Sequence, residues 1–186
     1  IVLREVKRLN ELVDDFLDSA RPVALDRIPA SPGEIIAEVA TAFRNDARYQ
    51  GRRVVRTHFA KLPLVPLDGG RFRQLLWNLV LNAAQATPDY GTIDISAHVE
   101  GEWLAVVVAD NGVGMSEDAR RLVFDPFYTT RSGGTGLGLA NVDRIVRAHG
   151  GTIDVDSEPG RGTSFVLRFP LQGSLEMDLS EVARGG

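Results

Sequence analysis

Three short runs of this sequence hold residue types whose spacing suits chemistry. In the first, Asn78, Asn82 and Gln85 fall on one stripe of a helix, beside the apolar stripe of Phe72, Leu75, Leu76, Leu79 and Ala83. Asparagine is a poor interior helix residue, because its side chain competes for backbone partners. Two of them at i and i+4 beside a core face read in either of two ways. They are a hard oxygen donor set of the kind magnesium uses together with phosphate and water, or they are solvent-facing and capping residues. The second run is Asp110-Asn-Gly-Val-Gly-Met115, at the end of the strand-like Trp103–Ala109. A carboxylate there can accept from a ligand amino group such as adenine N6, with glycines that let backbone come close. Asp-Asn-Gly is also an ordinary turn sequence. The third is Gly133-Gly-Thr-Gly-Leu-Gly-Leu-Ala140, which opens a helix and so presents N–H groups and a positive dipole end to phosphate. No strand directly precedes it and no Gly-Lys-Ser/Thr follows, which excludes the dinucleotide fingerprint and the Walker loop. His-Arg-Asp and Asp-Phe-Gly are absent, which excludes the protein-kinase signature set.

The elements that must position these runs follow from periodicity. Val2, Val6, Leu9, Val13, Phe16 and Ala20 make a heptad seam, widened by Leu3, Leu12 and Leu17, so residues 1–21 are predicted to be a bundle-forming helix ending at Pro22. Pro22, Pro29, Pro32 and Gly33 mark residues 23–33 as a linker, with Ser31 and Pro32 opening a helix over about 33–49. A β-type run at Arg53–Phe59 and a proline-punctuated stretch precede a helix over 69–86. Strands are expected at Thr92–Val99 and Trp103–Ala109 around a turn at Gly101, and at Thr152–Ser157 and Thr163–Phe169 around Pro159-Gly160. Helical pieces are expected near 116–123 and over 137–149. Short turns force neighbouring strands antiparallel, and the interleaved helices then give an α/β two-layer sandwich with a mixed sheet. The expected domains are the hairpin helix at 1–22, the linker at 23–33, a compact catalytic unit at 34–172 and a flexible tail at 173–186.

Bulk properties fit that plan. The 186 residues are 44% hydrophobic and 25% charged, which suits a packed core. A net charge of -4 gives no electrostatic reason to bind nucleic acid or an anionic membrane. Cysteine is absent, which removes disulfides, thiolate nucleophiles and zinc-thiolate sites. No apolar run approaches the ~20 residues needed to span a bilayer. The chain begins at Ile1 and reads as a cytoplasmic piece of a longer protein, which is free to be membrane-anchored elsewhere.

Taken in order, the asparagine helix, Asp110-Asn-Gly-Val-Gly114, Phe124-Asp-Pro-Phe-Tyr-Thr-Thr-Arg131 and Gly134-Thr-Gly-Leu-Gly-Leu139 resemble the N, G1, F and G2 boxes of the GHKL ATPase/kinase superfamily. Within it the chain resembles the catalytic domain of sensor histidine kinases. The runs Asn78–Ala86, Phe124–Arg131 and His149–Ser157 are similar to the nitrogen-regulation (NtrB/NtrY-like) branch. The resemblance covers about residues 30–171, and the helix ending at Pro22 resembles the second helix of that family's dimerisation hairpin. It implies the Bergerat fold, with ATP and magnesium as cofactors. Asn82 would hold the metal, Asn78 would support the site, and Gln85 would lie beside the nucleotide. Asp110 would accept from adenine N6, with Gly112 and Gly114 making room for the base. Gly134, Thr135, Gly136, Leu137 and Gly138 would line the phosphates. Thr129, Thr130 and Arg131 would belong to a lid, with Arg131 on the γ-phosphate. Phe124 and Phe127 would serve as hinge and packing residues.

The same resemblance implies transfer of the γ-phosphoryl group to a histidine, relay to the aspartate of a response regulator, and homodimerisation through the N-terminal helix. The chain departs from the pattern in one respect. None of its histidines, His58, His98 and His149, stands in the His-Glu-x-x-Asn/Thr-Pro pattern of a phosphoacceptor helix, so each is expected to be structural. His149, at a helix C-terminus, is placed where a cation suits the dipole. The acceptor is expected before Ile1 or on another chain. Alternative readings are a GHKL-type ATPase, a nucleotide-sensing dimerisation module without kinase activity, and a serine-directed anti-sigma kinase. Asn78 stands where the hydrolysing branches place a glutamate, and an amide is a poor base.

Overall fold

The computed structural model describes residues 24–49, 53–131 and 134–172. The predicted heptad helix over 1–21, the tail from Gly173 and Gly133 of the glycine-rich run lie outside the described residues.

Ser31 and Pro32 open the first helix, α1 (Pro32–Asn45), as their chemistry dictates. The Ser31 hydroxyl accepts the Glu34 N–H at 3.4 Å, and Pro32, which has no N–H to lose, takes the first turn. The helix stops four residues short of the predicted end at 49. The Asp46 carboxylate captures the Arg48 backbone N–H at 2.9 Å and its guanidinium at 2.7 Å, a local turn that competes with further helix. The second helix, α2 (Gly69–Ala86), has the predicted bounds. Asp68 caps it by accepting the Arg71 N–H at 2.9 Å, and the Thr87 hydroxyl closes it on the Ala83 carbonyl at 2.6 Å, just before Pro88. Two shorter helices follow, α3 (Glu117–Leu122), capped by Ser116, and α4 (Gly138–Ala148).

The linker assignment for residues 23–33 and the irregular reading of the stretch before α2 need correction. Strand β1 (Ile28–Ala30) pairs antiparallel with β3 (Val65–Leu67), with Pro29 opposite Pro66. A two-stranded ribbon leaves each strand one free edge, so prolines that lack an N–H are tolerated there. The main sheet holds β2 (Arg53–Phe59), β4 (Gly91–Glu100), β5 (Trp103–Asp110), β6 (Thr152–Glu158) and β7 (Gly162–Pro170), in the order β2-β4-β5-β7-β6. Only β2 and β4, joined through α2, run parallel among these neighbours; the remaining pairs are antiparallel. This is the expected mixed sheet.

Alternation along the strands selects one face for burial. Ile93 and Ile95 of β4, Leu104, Val106 and Val108 of β5, and Phe165, Leu167 and Phe169 of β7 meet the apolar faces of α1, α2 and α4. Phe72 of α2 packs edge-on against Phe169 with ring centroids 5.3 Å apart. The result is the two-layer α/β sandwich, with helices on one side of the sheet.

His149 joins two of those helices. The ring is 2% exposed and packs edge-on against Phe169. A carbonyl can only accept, so Nδ1 donates to the Ile145 oxygen at 2.8 Å, and Nε2 accepts the Asp68 N–H at 3.0 Å. That pattern requires a neutral ring, and burial, more than the nearby Arg27 charge, pushes its pKa below the ordinary 6.5. His149 is thus structural, as expected, but as a neutral tether between the end of α4 and the start of α2 rather than as the cation that a helix C-terminus would suit. The native pKa lies below the unfolded value, so the unfolded chain binds the proton first. Stability is expected to hold above about pH 6.5 and to decline as pH falls from there towards the native value. His149→Ala should remove this pH-dependent component and cost about 2–4 kcal/mol at neutral pH, read by denaturant unfolding.

Candidate functional site

The apolar face of α2 is buried to between 0% and 4% exposure at Phe72, Leu75, Leu76, Leu79, Val80 and Ala83. This fixes the roll of the helix on the sheet, and Asn78, Asn82 and Gln85 come out together along its rim. Asn78 is half-buried, and its amide donates to the Gly138 carbonyl at 3.4 Å. The asparagine helix and the glycine-rich run are thereby in direct contact. Asn82 lies one turn on. Its Oδ1 accepts from the Arg131 guanidinium at 2.9 Å, and its backbone oxygen accepts a second guanidinium N–H at 3.2 Å. Gln85 Oε1 accepts from the same guanidinium at 2.6 Å.

Asp110 ends β5 at the edge of this group. One carboxylate oxygen accepts the Gly112 N–H at 2.8 Å. Burial raises its pKa, partly offset by the N–H groups of Gly112 and Thr163 and by the charge of Arg131. The glycines beside it are demanded first by the chain itself. A Cβ on Gly112 would lie 2.5 Å from the Ala86 carbonyl oxygen, and one on Gly114, at φ +67°, would lie 1.9 Å from the Glu158 oxygen. The loop is thus clamped between the end of α2 and the β6–β7 hairpin. Backbone bonds from Val113 to Ala86 (3.1 Å) and from Gly160 to Val113 (2.8 Å) seal it.

The glycine-rich run is held from the other side. Gly136, at φ +70°, accepts the Phe127 N–H at 3.1 Å, and a Cβ there would lie 2.4 Å from the Phe127 carbonyl carbon. Phe127 itself sits at φ +68°, an uncommon conformation for a bulky residue. Its ring is 61% exposed, so the expected packing role fails for Phe127, whose backbone does the holding. Phe124 does pack, edge-on against Phe165 at 6.2 Å. Thr129 accepts the Arg131 N–H at 3.2 Å and crowds Gly134; Thr130 is exposed. Thr135 accepts the Leu137 N–H at 3.3 Å. The Leu137 side chain is buried in the protein, so only its backbone faces the loop. Helix α4 begins at Gly138 without a side-chain cap, which leaves its N-terminal dipole end for another acceptor.

Sequence reasoning missed a small polar cluster beneath Asp110. The Ser157 hydroxyl donates to the Gly162 oxygen at 2.9 Å, accepts the Met115 N–H at 2.9 Å, and meets the Thr163 hydroxyl at 3.0 Å. Its one visible signal was Gly162-Thr163 opening β7. Gly162 lies at φ +87°, and a Cβ there would sit 1.9 Å from the Asp110 oxygen.

The arrangement gathers a half-buried carboxylate, a carboxamide oxygen, a guanidinium and an uncapped helix start along one rim of the sandwich. Among the described residues no group of three or more His, Cys, Asp or Glu could hold a metal, so any metal here would lean on oxygens brought by a ligand.

Comparison with known proteins agrees with this fold. The chain is 36% identical over 174 residues to the sensor histidine kinase ZraS of Klebsiella oxytoca, covering 93% of this chain and 38% of that protein. It therefore spans under two fifths of the length of this relative. Full-length ShkA, solved in complex with AMPPNP, superposes with a TM-score of 0.80 at 32% identity, over 93% of this chain and 38% of that one. The histidine kinase ThkA, solved in complex with the response regulator protein TrrA, gives 0.78 at 27% identity over 93% of this chain and 50% of that one. Residues 67–173, more than half of the chain and all of the site, match the family of histidine kinase-, DNA gyrase B- and HSP90-like ATPases, and the chain belongs to that family.

Proposed function

We propose that this chain is the ATP-binding catalytic unit of a two-component sensor histidine kinase. It directs the ATP γ-phosphoryl group to a histidine outside this sequence, for relay to a response regulator. The observation that carries the reading is the meeting of Asn82 on α2 with Arg131 at one rim that also holds Asp110 and the Gly134–Gly138 backbone. Each group suits one part of ATP. Asp110 accepts the Gly112 and Thr163 N–H groups and, as a carboxylate, keeps further acceptor capacity for adenine N6. The glycine backbone and the start of α4 suit phosphate oxygens, with Thr129, Thr130 and Thr135 beside them.

Magnesium fits the same residues. Asn82 offers an oxygen that already bonds a cation, and the site lacks the carboxylate cluster of an all-protein cage. Bound there, the ion would supply charge neutralisation across the phosphates. Asn78, tied to Gly138, would keep α2 and the phosphate loop in register. Arg131, seated beside Asn82, is the cation this reading assigns to the terminal phosphate. Transfer through a loose transition state asks for this alignment and neutralisation rather than for a strong base.

Asn78 also argues against hydrolysis, since its amide donates to a carbonyl and cannot take a proton from water. Two of the histidines have structural partners. His149 is a buried tether, and His58 pairs with Asp94 at 3.1 Å in the main sheet. The acceptor helix, the dimer contact through residues 1–22, the response regulator and a cytoplasmic setting belong to the same proposal. No described helix is long and apolar enough to cross a membrane. Placement in the nitrogen-regulation branch rests on the quoted sequence runs.

Incubation with magnesium and γ-labelled ATP should leave this chain unlabelled while calorimetry shows binding. Label should appear on the histidine when the acceptor helix is supplied. Sustained release of free phosphate would instead establish an ATPase. Asn82→Ala in the longer parent should abolish magnesium-dependent transfer, and retained transfer would remove Asn82 from the site. Asp110→Ala should weaken ATP and ADP alike, by roughly 10- to 100-fold for one lost charge-assisted bond, and equal affinity would sink the adenine assignment.

A further inference from the structure

Arg131 occupies the atom on which the proposed magnesium contact depends. Its guanidinium lies 2.9 Å from Asn82 Oδ1, and it is fastened there by Gln85 Oε1 at 2.6 Å and by the Asn82 backbone oxygen at 3.2 Å. Asn78 has no part in this fastening; its amide is engaged with Gly138. Gln85 is exposed and one turn beyond Asn82 on the same stripe, so it adds an acceptor without adding charge. The Arg131 backbone is set separately, by its N–H bond to Thr129 Oγ1. The guanidinium can therefore leave α2 by side-chain rotation alone.

A guanidinium and a dication cannot share one carboxamide oxygen at bonding distance, because like charges a few ångströms apart repel strongly where water is partly excluded. Magnesium also insists on near-octahedral geometry around short oxygen contacts, which leaves no room for a guanidinium in the same lone-pair region. Resting on the nucleotide reading above, we propose that Gln85 is a positioning residue for Arg131 rather than a nucleotide ligand. It seats the guanidinium on Asn82 Oδ1, so arginine and magnesium compete for one atom, and metal-bearing nucleotide must unseat Arg131 to bind. The freed arginine is then delivered to the phosphate end of the site, which couples metal entry to the arrival of the neutralising cation. The fraction of chains with the arginine unseated scales the apparent affinity.

Gln85→Met tests this without removing the arginine charge, at an exposed helical position where methionine is as good a helix former as glutamine. Calorimetry with ADP isolates the seat from any γ-phosphate contact. In magnesium, Gln85→Met should bind ADP roughly three- to tenfold more tightly than the unsubstituted chain, the value of about one hydrogen bond. In EDTA the two should bind metal-free ADP equally. Unchanged or weaker magnesium–ADP binding overturns the competition, as does an equal gain in EDTA, which would mean that Arg131 obstructs the nucleotide rather than the metal oxygen. Failure of the unsubstituted chain to bind ADP under either condition would remove the nucleotide reading itself, and is distinguishable from these.

Discussion

The site depends on how α2 is rolled against the sheet. Phe72, Leu75, Leu76, Leu79 and Val80 are completely buried, and each such side chain contributes about 1.5–3 kcal/mol relative to exposure. No modest polar interaction can rotate a helix against that sum. The rim stripe of Asn78, Asn82 and Gln85 therefore faces α4 and Arg131 because the neighbouring apolar stripe is committed to the core. Asn78 then bonds Gly138, and the phosphate loop is placed relative to the asparagines by packing rather than by any contact with ligand.

Close backbone approach is the second constraint. Around Asp110 the chain brings the Ala86, Glu158 and Asp110 oxygens so near to Gly112, Gly114 and Gly162 that a Cβ would lie within 1.9–2.5 Å of them. The glycines here let one loop be held by the end of α2 on one side and by a hairpin on the other. A carboxylate on such a loop has little freedom. That suits recognition, since a rigid acceptor loses little entropy when a ligand arrives. The Ser157–Thr163 pair serves the same end from beneath, tying Met115 to the hairpin.

Rigidity at Asp110 contrasts with Arg131. Its side chain is exposed though partly desolvated, and among the described residues its guanidinium bonds two amide groups and a helix carbonyl and no carboxylate. Exposed bonds of this kind are modest in net worth. The guanidinium is thus held firmly enough to occupy a defined place and weakly enough to leave it. The adenine end of the site is built as a fixed surface, while the phosphate end has a movable charge.

Much of this was legible in the residues alone. The order of the asparagine helix, Asp110, Phe124–Arg131 and the glycine run marked the family, short turns between strands marked the mixed α/β sandwich, and α2 and β2 have the bounds read for them. These features are local, being set by side chains within a few positions of one another. What the sequence could not settle was pairing at a distance. The ribbon of β1 and β3 was hidden by prolines that forbid a central strand but not an edge. Ser157 and Thr163 looked like ordinary strand residues until the hairpin folded under Asp110. His149 stands at a helix end that suits a cation, whereas burial against Phe169 and the Asp68 N–H make it neutral. The seating of Arg131 on Asn82 and Gln85 joins residues 49 and 46 positions apart, and only the packing of two layers brings them within a hydrogen bond. Local propensity and motif order can be read along a chain; the electrostatic state of a group cannot, because neighbours from elsewhere in the fold determine what solvates it.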